Sequence, residues 1–380
     1  QIAAELAAAG GDEGGGGSTE EGSSAPSASA SSFGLSNLSN PAISAVGMFY
    51  AGGSNRPDAP PGFSLSDTGE LINGLHIQEI ELRLSAVVDP YFRADLTLSA
   101  SEGGVAFEEG YVSTLEVPMV TIRLGQMYAN LGRHGILHTH AFPFASAPLP
   151  WRRLLGPEAL TDPGASADIL LPLPFYVEVN AQVFLGEWEP FAGIPDDPAT
   201  ILIDESVPDL RADEDLVYAG HLKTLFELGD EATLELGGTY LGGRNGFGEL
   251  TSIVGADLTL KWSPTAAQRY TSFDWTTEWI WVDREGAPED RSVGGAYTSF
   301  RVQFEQQFWI QARGAILGLP RGDSEPTVRA EALFAYVPSE FSAIRLQYAF
   351  EATDQPAVDF IHEVFLHVIF SVGSHPAHAY

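Results

Sequence analysis

The 380 residues carry 51 acidic against 19 basic side chains, a formal net charge of −32, with no Cys, 40 Gly, 22 Phe, 12 Tyr and 7 Trp. That acidity excludes nucleic acid as a partner, which needs a basic footprint, and no run of about eighteen apolar residues exists from which a membrane-spanning helix could form. A transmembrane β-barrel remains open, because its strands need only about ten residues of alternating polarity and read as polar on average.

Residues 1–44 read as a low-complexity tail. An Ala-rich opening (IAAELAAA) leads into GGDEGGGGSTEEGSSAPSASASS, with Glu5, Asp12, Glu13, Glu20 and Glu21, no base, and Phe33 as the lone aromatic. Such a segment buries too little apolar surface to offset its chain entropy, so disorder or docking onto another body is expected. Starting at Gln1 with no visible signal peptide, the chain reads as an exported protein after processing. The absence of Cys is compatible with an oxidising periplasm or cell surface.

From residue 45 the pattern changes to period-2 alternation interrupted by turn residues. In 91–100, Arg93, Asp95, Thr97 and Ser99 alternate with Phe92, Ala94, Leu96 and Leu98. The same pattern puts Glu79, Glu81 and Arg83 opposite Ile80, Leu82 and Leu84, and Asp274, Thr276 and Glu278 opposite Phe273, Trp275 and Trp279. Strands are predicted at 45–52, 75–88, 91–101, 105–115, 119–128, 166–171, 175–186, 216–228, 231–242, 249–262, 268–283, 295–305, 308–318, 326–336, 341–351 and 357–371. Every second connection is short (Asp89-Pro90, Pro172–Pro174, Gly229-Asp230, Gln306-Gln307), whereas 53–74, 129–165, 187–215 and 284–294 are long. That asymmetry predicts an all-β fold, a transmembrane antiparallel barrel of about sixteen strands spanning 45–380, with both ends on the periplasmic, short-turn side. Trp262, Trp281, Trp309, Tyr336 and Tyr348 are expected to form its outer aromatic girdle. A soluble sandwich is the alternative, but no linker splits the strand region as two domains would require.

The run from His76 to Arg133 resembles the phosphate-selective porin (O/P-like) family of Gram-negative outer membranes. The matching residues are Glu108, Glu109, Tyr111 and Val112 on one strand, then Gly125, Gln126, Gly132 and Arg133. The resemblance implies a sixteen-stranded, often trimeric channel. With Lys223 and Lys261 the only lysines, the Lys-rich constriction of that family's namesakes has no counterpart here.

The polar strand faces are expected to line a lumen. The bases expected there are Arg83, Arg93, Arg123, Arg301, Arg313, Arg329 and Arg345, with Lys223 and Lys261. The acids include Glu178, Glu235, Asp257, Asp274 and Glu278. Fourteen acids against nine bases on this face leave −5, a wall that favours cations weakly. Arg301, Arg313, Arg329 and Arg345 fall on consecutive strands while acids cluster at 227–278, so the charges either make opposed walls with a transverse field or pair across strands.

The long segment 129–165 is too apolar for a free surface loop, with Phe142, Phe144, Leu149, Trp151, Leu154 and Leu155. It is expected to fold into the lumen as a constriction loop presenting Arg133, His134, His138, His140, Arg152 and Arg153. Histidines at 134, 138 and 140 have spacings that can share a metal ion. No Cys or fixed carboxylate accompanies them in the sequence, so no metal site is assigned. The acidic segment 187–215 fits no EF-hand; no cofactor is expected, and Ca²⁺ at such acidic outer loops is the one ion considered.

With no G-x-S-x-G elbow and no evident Ser/His/acid set, the chain is read as a non-enzyme. The expected function is passive diffusion of small hydrophilic solutes or ions through a bacterial outer membrane. The alternative is a structural barrel that anchors or encloses a partner in an envelope assembly. Expected partners are outer-membrane lipid and lipopolysaccharide, with either a homo-oligomer (trimer) or an envelope protein.

Overall fold

The computed structural model describes residues 41–55, 73–156, 160–188, 191, 212, 215–264, 270–287, 292–319, 326–355 and 358–373. Sixteen strands form: β1 (Ala42–Ser54), β2 (Gly74–Val87), β3 (Phe92–Ser101), β4 (Gly104–Thr114), β5 (Val120–Tyr128), β6 (Thr161–Leu170), β7 (Tyr176–Phe184), β8 (Val217–Glu227), β9 (Ala232–Arg244), β10 (Leu250–Trp262), β11 (Ser272–Arg284), β12 (Ser292–Glu305), β13 (Phe308–Leu319), β14 (Thr327–Ser339), β15 (Ser342–Gln355) and β16 (Val358–Gly373). Each pairs antiparallel with its sequence neighbours. β1 closes the sheet against β16, from Ser44↔Gly373 to Ser54↔Glu363. Closure gives each of these strands a paired neighbour on both sides, which is what allows a sheet to stand in hydrocarbon.

All sixteen predicted strands are present, with shifts of three to five residues at the starts of β1, β6, β11 and β12 and at the ends of β14 and β15. β1 begins at Ala42, so the last residues assigned to the tail are strand, and the rest of the tail lies outside the described residues. β6 begins at Thr161, not 166. The run Thr161-Asp162-Pro163-Gly164 reads as a turn, yet it pairs with β5 as Tyr128↔Thr161 through Gly125↔Gly164. Pairing of β6 with β7 starts only at Gly164↔Phe184. Pro163 therefore sits where its strand has one ladder neighbour, and a missing N–H is tolerated there.

β16 shows how the two faces separate. Phe360, Val364, Leu366, Phe370 and Val372 point outward and are 45–58% exposed, while Ile361, Glu363, Phe365, His367 and Ile369 between them are 1–2% exposed. A continuous apolar exterior of this kind is met by lipid, not water. The molecule is a transmembrane barrel of the bacterial outer-membrane type, and no described helix is long and apolar enough to cross a membrane.

The interior departs from the expected polar lining. Val217, Leu241, Ile253, Ile280 and Val282 point inward and form a buried cluster with Leu149, Trp151, Leu154 and Leu155 of the segment after β5. A second cluster joins Val46, Met48, Leu333 and Ile369 to Phe144. Trp309, assigned to the outer girdle, also faces inward: it shares its strand parity with Gln311 and Arg313, and the Arg301 guanidinium lies 5.2 Å from its ring centre.

Leu366 lies mid-strand on the outer face of β16. Leu366→Arg is expected to cost about 2–4 kcal/mol of barrel stability, read by denaturant titration in phospholipid vesicles. A cost under about 0.5 kcal/mol would mean that this face does not meet lipid.

Candidate functional site

The described residues of segment 129–160, which leave out 157–159, run through the barrel interior and are fixed at successive points. Its two ends meet where the Ala129 N–H donates to the Leu160 carbonyl at 2.7 Å. The Asn130 N–H donates to Gln182 at 2.7 Å, and the Gln182 amide donates back to the Tyr128 carbonyl at 3.0 Å. The Glu278 carboxylate on β11 then accepts the backbone N–H groups of Arg133 (2.9 Å) and His134 (3.1 Å) and the Tyr297 hydroxyl. Gly132 makes this approach possible. It adopts φ +65°, and a Cβ there would strike the Glu278 carboxylate. Gly125 is equally constrained, with φ +137° and the β4 backbone filling the space of a side chain. The Gly125, Gln126, Gly132 and Arg133 pattern thus has a local purpose: it presses β5 onto β4 and turns the chain inward onto Glu278.

Further on, the Arg345 guanidinium donates to the Phe142 carbonyl (2.8 Å), Gln78 to the Ala145 carbonyl (3.2 Å), the Ala145 N–H to Gln347 (2.9 Å), and Arg313 to the Ser146 carbonyl (2.9 Å). A short helix, α1 (Leu149–Leu155), follows, entered through Pro148 with Pro150 in its first turn. α1 lies along β11, β12 and β13, burying Leu149, Trp151, Leu154 and Leu155. Its two arginines converge on Glu351 of β15, Arg152 at 3.5 Å and Arg153 at 3.3 Å. Arg329 joins them at 3.0 Å and also binds Glu363 at 2.7 Å, while Glu331 binds Arg313 at 2.5 Å and Arg329 at 3.2 Å. Burial, with repulsion from Arg329, pulls Arg152 down to about 10, still well above neutral pH, so it stays charged.

The histidines separate by environment. His134 packs against Phe142 and Trp151, with ring centres 4.6 and 6.2 Å away, and points away from the open space. Burial, with Arg313 repelling positive charge, lowers it to about 3, so it is neutral. His138 is buried too, but its Nδ1 lies 2.8 Å from Glu108 and its Nε2 3.0 Å from Glu109. Burial opposes its charge, yet these hydrogen bonds and the Glu81 charge outweigh burial and hold it up at about 10. His140 Nδ1 lies 2.6 Å from Glu81.

Beside the segment lies an internal cavity of about 500 Å³. Six fixed cations border it, Arg83, Arg133, Lys223, Lys261, Arg301 and Arg345, against three carboxylates, Glu235, Asp257 and Asp274, with His138, His140, His221 and Trp309. The net negative balance was expected of the whole inner face; on this lining cations outnumber carboxylates, with Asp95 and Glu178, the partners of Arg83 and Lys223, lying outside it. Many of the acids counted on that face are engaged elsewhere: Glu81 at the histidines, Glu278 at the backbone, and Glu331 and Glu363 at arginines. The opposed-wall arrangement gives way to pairing across strands. Asp274 faces Arg301, Glu331 faces Arg313, Glu351 faces Arg329 and Lys223 faces Glu178 in register. Lys261 has no ion-pair partner among the described residues. His221 Nε2 and Asp257 Oδ2, 3.4 Å apart at the cavity wall, have no hydrogen-bond partner there either.

The remaining predicted pore residues lie off this cavity. Arg93 pairs with Asp95 at 2.9 Å, Arg123 with Asp168 at 3.0 Å and Glu178 with Lys223 at 2.8 Å. Arg313, Arg329, Arg152 and Arg153 are held in the Glu331 and Glu351 network. Most of the acidic segment 187–215 lies outside the described residues. Sequence reasoning passed over Glu351, although it shares its strand parity with Arg345 and Gln347, and it used Glu108 and Glu109 only as family markers.

No protein-family model matches the chain. A protein of Aquifex aeolicus (strain VF5), itself uncharacterised, is 28% identical over 340 residues, covering 81% of this chain and 70% of that one. Among solved structures, the anion-selective porin from Comamonas acidovorans superposes with a TM-score of 0.59 at 10% identity, covering 87% of this chain and 99% of that one. OprB of Pseudomonas putida follows with 0.57 at 8% identity, covering 89% and 95%. The outer membrane channel DcaP of Acinetobacter baumannii gives 0.53 at 10%, covering 88% and 96%. The fold is that of the outer-membrane porins.

Glu351 is shared by three arginines. Glu351→Gln is expected to destabilise the barrel by about 3–5 kcal/mol, the cost of leaving buried charge uncompensated, and to admit protease to α1. An unchanged unfolding midpoint with α1 still protected would show that the network does not hold the segment.

Proposed function

We propose that this protein is a porin-like channel of the bacterial outer membrane, through which small hydrophilic solutes and ions diffuse passively. The observation that carries this reading is the cavity of about 500 Å³ left inside the barrel by segment 129–160, bordered by six fixed cations and three carboxylates. Segment 129–160 is the constriction in this reading, and the cavity is the narrow aqueous part of the path. A volume of this order suits solutes of modest size. Its excess of positive charge favours anions, because rings of fixed charge set the sign of the ions that enter. The anion selectivity in the description of the Comamonas relative has the same sense. The family resemblance adds a homotrimer; an outer-membrane setting adds lipopolysaccharide around its rim, and the even strand count with short turns on one side puts both ends of the barrel on the periplasmic side.

One observation favours a second reading, a barrel that encloses or anchors a partner and carries no current. The two apolar clusters fill much of the interior, and an interior so filled can serve as a plug.

Planar bilayers in a salt gradient separate these readings. The channel is expected to open in steps with an anion-selective reversal potential. Lys261→Glu is expected to lower the anion-to-cation permeability ratio by at least about twofold, since it inverts one fixed charge in a confined space. Cation selectivity in the wild type would overturn the anion reading. A folded protein that never opens would overturn the channel and favour the plugged barrel.

A further inference from the structure

The inward segment brings two histidines onto carboxylates from two separate strands. His138 Nδ1 faces Glu108 of β4 at 2.8 Å and Glu81 of β2 at 3.5 Å. One donor atom from each of the three lies within 4.8 Å of the others. A tetrahedral ion with bonds of about 2.0–2.1 Å holds its ligands roughly 3.3 Å apart, so these side chains need only small movements to close around one. We propose that Glu81, Glu108 and His138 form a divalent-cation site that ties segment 129–160 to β2 and β4, and that zinc is the ion it takes.

Two features beyond the presence of acids support this. The first is the orientation of His138. Its Nδ1 points at the two carboxylates, and its Nε2 donates to a third, Glu109, at 3.0 Å. A metal-bound imidazole is characteristically oriented in this way, one nitrogen on the ion and the other hydrogen-bonded to a carboxylate that fixes the ring; zinc takes the Nδ1 lone pair and releases to solvent the proton that Nδ1 shares with Glu108. The second is a neighbouring imidazole: His140 Nδ1 lies 2.6 Å from Glu81, and its ring stacks on His138 with centres 5.7 Å apart. Both histidines border the cavity, which gives an ion its route in. The imidazole selects zinc over calcium, which prefers an all-oxygen shell.

The site stands on geometry alone and is independent of whether the barrel conducts. Folded protein in detergent, stripped with a chelator, would be titrated with zinc by calorimetry and by competition with a chromogenic chelator. One zinc per chain is expected, with micromolar or tighter affinity. His138→Gln is expected to abolish this binding, and Glu109→Gln, which removes only the orienting carboxylate, to weaken it ten- to a hundredfold. His362→Gln, on the lipid face, leaves it unchanged. Gel migration of unheated samples establishes folding, and should His138→Gln fail to fold, Glu109→Gln carries the test. Folded wild type that takes up no stoichiometric zinc, or zinc binding undiminished in the folded variants, overturns the proposal.

Discussion

One constraint organises the interior: a segment that fills a barrel with apolar side chains also excludes water, and a charge that loses water must gain a partner. The alternating strand pattern places charged residues on the inner face. Leu149, Trp151, Leu154 and Phe144 then cover part of that face. Each charge beneath them is consequently matched, Arg329 with three glutamates and Glu278 with two backbone N–H groups and the Tyr297 hydroxyl. At the cavity cations outnumber carboxylates, yet most of them are paired as well: Arg83 with Asp95, Arg133 with Glu235, Lys223 with Glu178 and Arg301 with Asp274.

This division explains why a chain of net charge −32 can carry a basic cavity. Summing charges over strand faces counts Glu81, Glu278, Glu331 and Glu363 as open wall, whereas in the folded chain Glu81 and Glu278 hold the segment and Glu331 and Glu363 pair with Arg313 and Arg329 of the wall. The charge presented at the cavity depends on how the packing distributes these pairs, and the composition gives no measure of that.

The barrel was legible because each strand pairs with its neighbour in sequence, so period-2 alternation and the rhythm of short and long connections carry the topology. β6 was misplaced at its start because Asp162-Pro163-Gly164 has the composition of a turn, and only the one-sided pairing there makes a strand tolerable. The inner apolar patch was hidden for a different reason. Val217, Leu241, Ile253 and Ile280 share parity with polar residues of the same strands, so a single face carries both kinds. The apolar character of 129–160 was readable, but its partners were not. Arg152 and Arg153 meet Glu351 across roughly two hundred residues of chain, and His138 meets Glu81 and Glu108 from other strands. No local spacing encodes such pairs.

The central claim is that ions pass through the space beside segment 129–160. The chain has no Cys, so single cysteines report cleanly. Ser299 borders the cavity, whereas Leu366 faces lipid. Modifying Ser299→Cys with a negatively charged thiol reagent should reduce single-channel conductance and shift selectivity towards cations, while the same reagent on Leu366→Cys should change neither. Full modification of Ser299→Cys with conductance and selectivity unaltered would contradict the account.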